Sequence, residues 1–361
     1  MTVSELTGGT NDTSFVGAEG GRAPTVGARS LKSADFALLK RYVLNAHLLD
    51  RQPAYYTLVI SLTVAGWAAT LVLLAYFRSS PNLVFSLAIA NGIMSMQLAF
   101  IAHDLGHNEV FRSAGANRRL GLFVANLLLG ASIRWWADTH NRHHAQPNRM
   151  DVDPETITPL WAFSPGQAAA RPFAVRRLLR WQHLTICGAM LGAGLGVVAA
   201  SLSFTRAGGE RAGGMSLMAL HWLVLPAVLM GLLGPTTGLA WLAIQQAVFG
   251  SYMTIVSATN HMGMPEAGDV PDGFLARQVL TARNVSGGLL LDLLCGGLNH
   301  QIEHHLFPSM PRNRLRAARR LVRPFCQRGG VAYHETTLLG ALHEGYAELV
   351  TVARSVSLAA A

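Results

Sequence analysis

Several runs of this chain are apolar for longer than a soluble fold has use for. Residues 55–77, 83–102 and 184–204 are three such runs, and residues 217–257 form a fourth, broken only at Gly234-Pro235. A helix needs about 20 mostly apolar residues to cross a bilayer. Inside the bilayer only helices and closed barrels satisfy every backbone group. Only 14% of the residues are charged and 50% are hydrophobic, whereas a soluble domain carries about 25% charged residues. The expected fold class is therefore an all-α integral membrane protein with about four transmembrane helices.

Charge gives the orientation. Segment 103–182 carries Arg112, Arg118, Arg119, Arg134 and six further arginines, and the stretch 312–328 carries seven. The connections 77–82 and 205–215 carry one and two. The arginine-rich segments should face the cytoplasm, which places the catalytic face and both termini there, in a multi-pass protein of the cell inner membrane type. An even number of crossings must then separate residue 182 from residue 262. Three apolar segments compete for them: 184–204, 217–234 and 236–257. One must lie in the interface, re-enter or merge with a neighbour, and 217–234 is the weakest of the three. The run 120–133 is too short to cross comfortably. The net charge of +9 points to lipid headgroups or an anionic substrate, and not to nucleic acid, because the arginines flank apolar spans. Cys187, Cys295 and Cys326 are far apart and form no ligand pair. Residues 1–30 contain no apolar core run and read as a disordered tail. The expected organisation is 1–50 as tail and pre-membrane segment, 51–330 as the membrane domain and 331–361 as a cytosolic tail.

Fourteen residues are histidine, and eight of them fall in four places. His103 and His107 stand four apart at the end of an apolar span. His140, His143 and His144 have the spacing of one helical face. His304 and His305 are adjacent, three residues after Gln301, and His261 closes another span. Neutral imidazole is the commonest metal ligand near neutral pH, and polar groups beside a bilayer are costly and tend to be functional. A zinc ion needs only three or four ligands. Eight or nine nitrogen-type donors suit two ions with open positions. Imidazole accepts zinc, copper, iron or nickel alike. A pair facing an apolar cavity suits iron and O2 activation, although the Glu-x-x-His pairs of soluble di-iron bundles do not recur here.

The stretches "HDLGH", "WWADTHNRHHAQPNRMDVDP" and "GGLNHQIEHHLFPSMPR" resemble the three histidine boxes of the membrane fatty acid desaturases. The similarity is closest to the front-end (delta-6-like) and bacterial acyl-CoA branch, and it covers roughly residues 95–325. The resemblance implies a helical membrane enzyme whose cytosolic cap holds two non-haem irons. By position the ligands would be His103, His107, His140, His143, His144, His261, Gln301, His304 and His305, with His300 as a spare that coordinates or only hydrogen-bonds. Metal-bound histidines usually donate their outer N–H to a carboxylate or carbonyl. Asp104, Asp138, Asp151, Asp153 and Glu303 are candidates for that role, and Asn260 for holding a water. Trp135 and Trp136 would line the acyl entrance or form an interfacial belt.

The activity this implies is O2-dependent desaturation of a long acyl chain, carried as acyl-CoA or on a lipid. The same scaffold would also serve a lipid hydroxylase, epoxygenase or ketolase. A metal transporter is the remote alternative, since transport sites lie near the midplane and these clusters lie at span ends. The sequence contains no His-Pro-Gly-Gly haem motif. Electrons are therefore expected from a separate donor, such as a ferredoxin, a flavin reductase or a cytochrome b5-like protein.

Overall fold

The computed structural model describes residues 33–158 and 161–358; the expected disordered tail at 1–30 lies outside them. After α1 (Ser33–Asn45) come two long antiparallel helices, α2 (Pro53–Tyr76) and α3 (Pro81–Gly106). A shorter helix, α4 (Ala114–Gly121), continues as a π-helical turn, Leu122–Leu128, and the chain then bends by 112° into α5 (Ile133–Ala145). Two short helices, α6 (Pro165–Ala169) and α7 (Phe173–Leu179), lead to three more long ones: α8 (Gln182–Arg206), α9 (Ala212–Leu233) and α10 (Pro235–His261). The remainder comprises α11 (Phe274–Leu280), β1 (Asn284–Val285), α12 (Leu289–Leu294), α13 (Gln301–Leu306), α14 (Arg312–Arg328), β2 (Glu335–Thr336) and α15 (Leu338–Leu358).

Five helices, α2, α3, α8, α9 and α10, are long and apolar enough to cross a membrane, where the sequence led us to expect about four. The difference lies at the expected weak segment, 217–234. It extends to a 22-residue helix, so length does not set it apart. Its separation from α10 is local chemistry. Gly234 adopts φ +79°, a conformation costly to any residue with a Cβ. Pro235 then opens α10 at the first helical position, where its missing N–H costs nothing. Pro53 and Pro81 begin α2 and α3 in the same way. His103 near the end of α3 and His261 at the end of α10 line one cavity.

The run 120–133 resolves differently from a span. Its π-helical turn ends at a bend held by buried polar groups. Asn126 Oδ1 accepts the Ile133 N–H at 3.1 Å, and the carboxylate of Glu210 accepts from Ser132 Oγ and Asn126 Nδ2. From α9, His221 Nδ1 donates to the Leu127 carbonyl and Trp222 Nε1 to that of Gly130, both at 2.9 Å. These bonds satisfy carbonyls that a broken helix would otherwise leave unpaired. They also fix the direction in which α5 leaves the bend.

Small residues let the long helices approach closely. Gly194 of α8 and Gly250 of α10 lie so near that a Cβ on Gly250 would come within 2.4 Å of the Gly194 nitrogen. Outside the long helices a second apolar core forms. Leu39 and Val43 of α1, Leu275 and Val279 of α11, Ile302 and Leu306 of α13, and Leu315 and Val322 of α14 pack there. β1 and β2 pair in parallel, Asn284 opposite Glu335 and Val285 opposite Thr336. Residues 331–358 pack on the rest of the chain: Val352 and Val356 of α15 pack on Leu179 and Ala168, and Gln182 donates to the Leu349 carbonyl.

Candidate metal centre

Four elements bring the histidines together. The last turn of α3 supplies His103, and the C-cap beyond it supplies His107. α5 supplies His140, His143 and His144 from one face; α10 supplies His261 from its last residue, and α13 supplies His304 and His305. The imidazoles fall into two groups. In one, nitrogens of His103, His107, His140 and His304 all lie within 4.8 Å of one another. In the other, those of His143, His261 and His305 do the same. His144 lies between them: its Nε2 is 3.1 Å from both His140 Nε2 and His304 Nε2, and its ring stacks on His305 at 4.3 Å.

The outer ring nitrogens decide where the protons are. His143 Nδ1 faces Asp153 at 2.8 Å, His140 Nδ1 faces Glu155 at 3.0 Å, and His261 Nδ1 faces the Thr281 carbonyl at 2.9 Å. His305 Nδ1 faces Gln278 Oε1 at 2.8 Å, while the amide of Gln278 donates to the His144 carbonyl and so fixes that oxygen's position. Each of these partners accepts only, so each Nδ1 carries the proton. Each Nε2 then presents a lone pair inward. Yet His143 Nε2 lies 3.3 Å and His261 Nε2 3.1 Å from His305 Nε2. Burial, then the neighbouring imidazoles, push the proton affinities of His305 and His261 below the ordinary histidine range, so a second proton does not resolve their contact, whereas against burial Glu155 and Asp153 raise that of His143. Lone pairs this close repel one another unless a cation sits among them. His103 Nε2 and His107 Nε2 are likewise buried with no partner. The donor set therefore fits two metal ions with nitrogen ligands, their outer N–H groups held as metal-bound histidines hold them.

Other expected residues divide. Gln301 places its amide 3.1 Å from His261 Nε2 with Oε1 buried and unpaired, and a flip of that amide turns the oxygen toward the second group. His300 turns its Nε2 to Asp292 at 3.1 Å and joins neither group. Asp153 meets a ligand directly, whereas Asp104 stands beside His103 at 3.5 Å and binds Arg312 Nε at 2.5 Å. Asp138 does not reach the cluster: it is exposed and pairs with Arg142 at 3.0 Å. Asp151 faces Gln167. Glu303 is fully buried but points away, accepting from Asn284 and Tyr333, each at 2.7 Å. Asn260 lines the cavity with its Oδ1 unpaired. Sequence reasoning missed Glu155, Gln278 and the Thr281 carbonyl. Glu155, in the DVDPE turn, was the one with a visible signal, as a carboxylate two residues beyond Asp153.

A cavity of ≈ 790 Å³ runs past the histidines. Trp135 and Trp136 both line it. Trp136 stacks on His140 at 4.5 Å and touches His103 and His107, so it braces the imidazoles as well as the wall. Gly106 permits this, since a Cβ there would lie 2.1 Å from the Trp136 ring. The far walls are apolar: Leu129 and Ala131 at the bend, Ala193 and Val197 of α8, Phe249 and Met253 of α10. Replacing Asp153 by Asn should weaken metal binding by about 10–100-fold, because the amide no longer holds the His143 proton outward; equilibrium dialysis against iron checks this.

Comparison with known proteins gives one matching family, described as fatty acid desaturase, over residues 78–337. An acyl-lipid (9-3)-desaturase from Physcomitrium patens is 29% identical over 315 residues, 84% of this chain and 60% of the moss protein. A delta(8)-fatty-acid desaturase from Euglena gracilis is 29% identical over 83% of this chain and 74% of that protein. Fatty acid desaturase 3 from Bos taurus is 27% identical over 85% of this chain and 70% of that protein. The chain thus spans less than two thirds of its moss relative.

Proposed function

This chain belongs to the fatty acid desaturase family, and from that premise we propose that it introduces a double bond into a long acyl chain lying in the cavity beside the two histidine groups. The carrying observation is the inward convergence of imidazole Nε2 lone pairs in two adjacent sets. In this reading the ligands are His103, His107, His140, His144 and His304 for one iron, and His143, His261 and His305, with Gln301 at hand, for the other. Held by these residues, two irons would supply, with O2, two protons and two electrons from a separate redox protein, the oxidising power to take hydrogens from two adjacent unactivated methylenes, giving an olefin and two waters.

The chain's own residues do the rest. Asp153, Glu155, Gln278 and the Thr281 carbonyl hold the imidazoles in one tautomer. Trp136 fixes the rings from the side. The apolar walls keep water from the reacting carbons and hold one carbon pair against the centre, which is the protein's main share of such a reaction. The histidine-bearing ends of α3 and α10, with α5, α11 and α13, would form a cap on the cytoplasmic side of a multi-pass membrane protein.

Product analysis tests this directly. Expressed in a host lacking its own desaturase, the protein should yield a mono-olefin two hydrogens lighter than its parent chain, identified by gas chromatography after derivatising the double bond. A product carrying an added oxygen would overturn desaturation in favour of hydroxylation or epoxidation on the same scaffold.

A further inference from the structure

Behind the apolar end of the cavity lies a second, much smaller space of ≈ 10 Å³, lined by Asn91 and Ser95 of α3, His221 of α9, and Gln245 and Gln246 of α10. Leu129 and Phe249 line both spaces, so these two side chains are the partition between them. On one side the wall is hydrocarbon. On the other, three amide oxygens are buried and unpaired: Asn91 Oδ1, Gln245 Oε1 and Gln246 Oε1, in residues 1%, 5% and 5% exposed. The Asn91 orientation is fixed. Its Nδ2 donates to Thr70 Oγ1, whose own hydrogen goes to the Trp67 carbonyl, each at 2.6 Å. Gln245 Nε2 is spent on Ser95 Oγ at 2.9 Å.

We propose that Phe249 and Leu129 end the acyl channel and that the polar pocket behind them makes this end a length limit. The proposal rests on the acyl-chain reading above and adds which residues select chain length. The channel has a polarity that orients its occupant. Past the last residue of α10 its lining includes the partly exposed Glu266 and the exposed Asp269, so this part meets water, whereas the Leu129–Phe249 side suits a methyl terminus. A chain that fits against Phe249 gains apolar contact with each added methylene. A longer chain must displace Phe249 toward a space of only ≈ 10 Å³ and break the Gln245–Ser95 hydrogen bond behind it. Leaving a buried amide N–H without its acceptor is costly, so selectivity falls off at one length and not gradually.

Paired acyl chains differing by two carbons, supplied together in one reaction, give a ratio of products that does not depend on how much enzyme is folded. With wild-type protein the ratio should drop sharply beyond one chain length. Phe249→Ala should move that drop to longer chains and raise the ratio for the next homologue by about tenfold, the usual worth of methylenes in an apolar pocket. Phe249→Leu is a milder enlargement that keeps the fold if the alanine variant does not. Adding Gln245→Leu to Phe249→Ala should raise the ratio further by making the opened pocket apolar. An unchanged cut-off in an active Phe249 variant overturns the proposal. If wild-type protein yields no olefin from any chain, the proposed function fails instead. The length limit is then still read from the thermal shift given by saturated fatty acids of graded length, where Phe249→Ala should extend the stabilising series and an identical series would refute it.

Discussion

His305→Ala should abolish olefin formation and lower bound iron from two ions per chain toward one. His305 is the centre of the second group: its Nε2 faces those of both His143 and His261, and its ring stacks on His144. Without it the second group keeps only two imidazoles, His143 and His261, with the weaker Gln301 beside them, a remnant poor in ligands for a stable site. The first group, His103, His107, His140 and His304, loses no member. Iron should therefore fall partway while activity falls completely, since the proposed chemistry needs both ions. Loss of an outer partner costs about 10–100-fold, and loss of a ligand should exceed it. Iron content by mass spectrometry and olefin by gas chromatography, measured on one preparation, read both effects. Unchanged iron with lost activity would place His305 outside the ligand set.

Arg312→Ala should be the most destabilising single change away from the ligands. Arg312 opens α14, is 8% exposed and binds the carboxylate of Asp104, which is 1% exposed and adjacent to His103. Its backbone N–H donates to Tyr56 Oη, which in turn donates to Glu109 at 2.9 Å. Burial, then the charge of Asp104, raises the Glu109 carboxyl well above its usual range. Asp104 is the carboxylate that Arg312 pairs with directly. Removing one partner of a buried ion pair costs about 3–5 kcal/mol because the other charge stays behind. The melting temperature in detergent should drop accordingly. Arg312→Ala with Asp104→Asn should recover part of the loss, as coupled neighbours do; a double variant no better than the sum of the singles would show that the pair is not coupled.

These predictions show where the sequence was readable. Histidine spacing was legible because a helix converts i, i+3 and i+4 into one face whatever surrounds it. That is why His140, His143 and His144 arrive together on α5. The partners of those histidines were not legible. Asp138 looked suitable by proximity, but two positions along a helix are about 200° apart. It therefore faces solvent and Arg142 while His140 faces inward. Glu303 is likewise turned from its neighbour His304 toward Asn284 and Tyr333. Gln278 and Thr281 come from α11 and its C-cap, which reach the site only by packing on α13 and α1 in the apolar core outside the long helices. No local pattern announces such a contact.

The long helices were similarly half-visible. Apolar length and Gly234-Pro235 marked where α9 and α10 would separate. The bend at 129–132 was not marked, because its stabilising groups, Glu210, His221 and Trp222, lie about 80 or more residues further along the chain. Hydropathy finds helices that could span, and the structure offers five of them where about four were expected.

The account depends on two metal ions meeting the converging nitrogens. Purified protein reconstituted with ferrous iron should bind two irons per chain by mass spectrometry, with an X-ray absorption spectrum of nitrogen-dominated coordination. One iron or none, or a coordination sphere built from oxygen or sulfur, would contradict it.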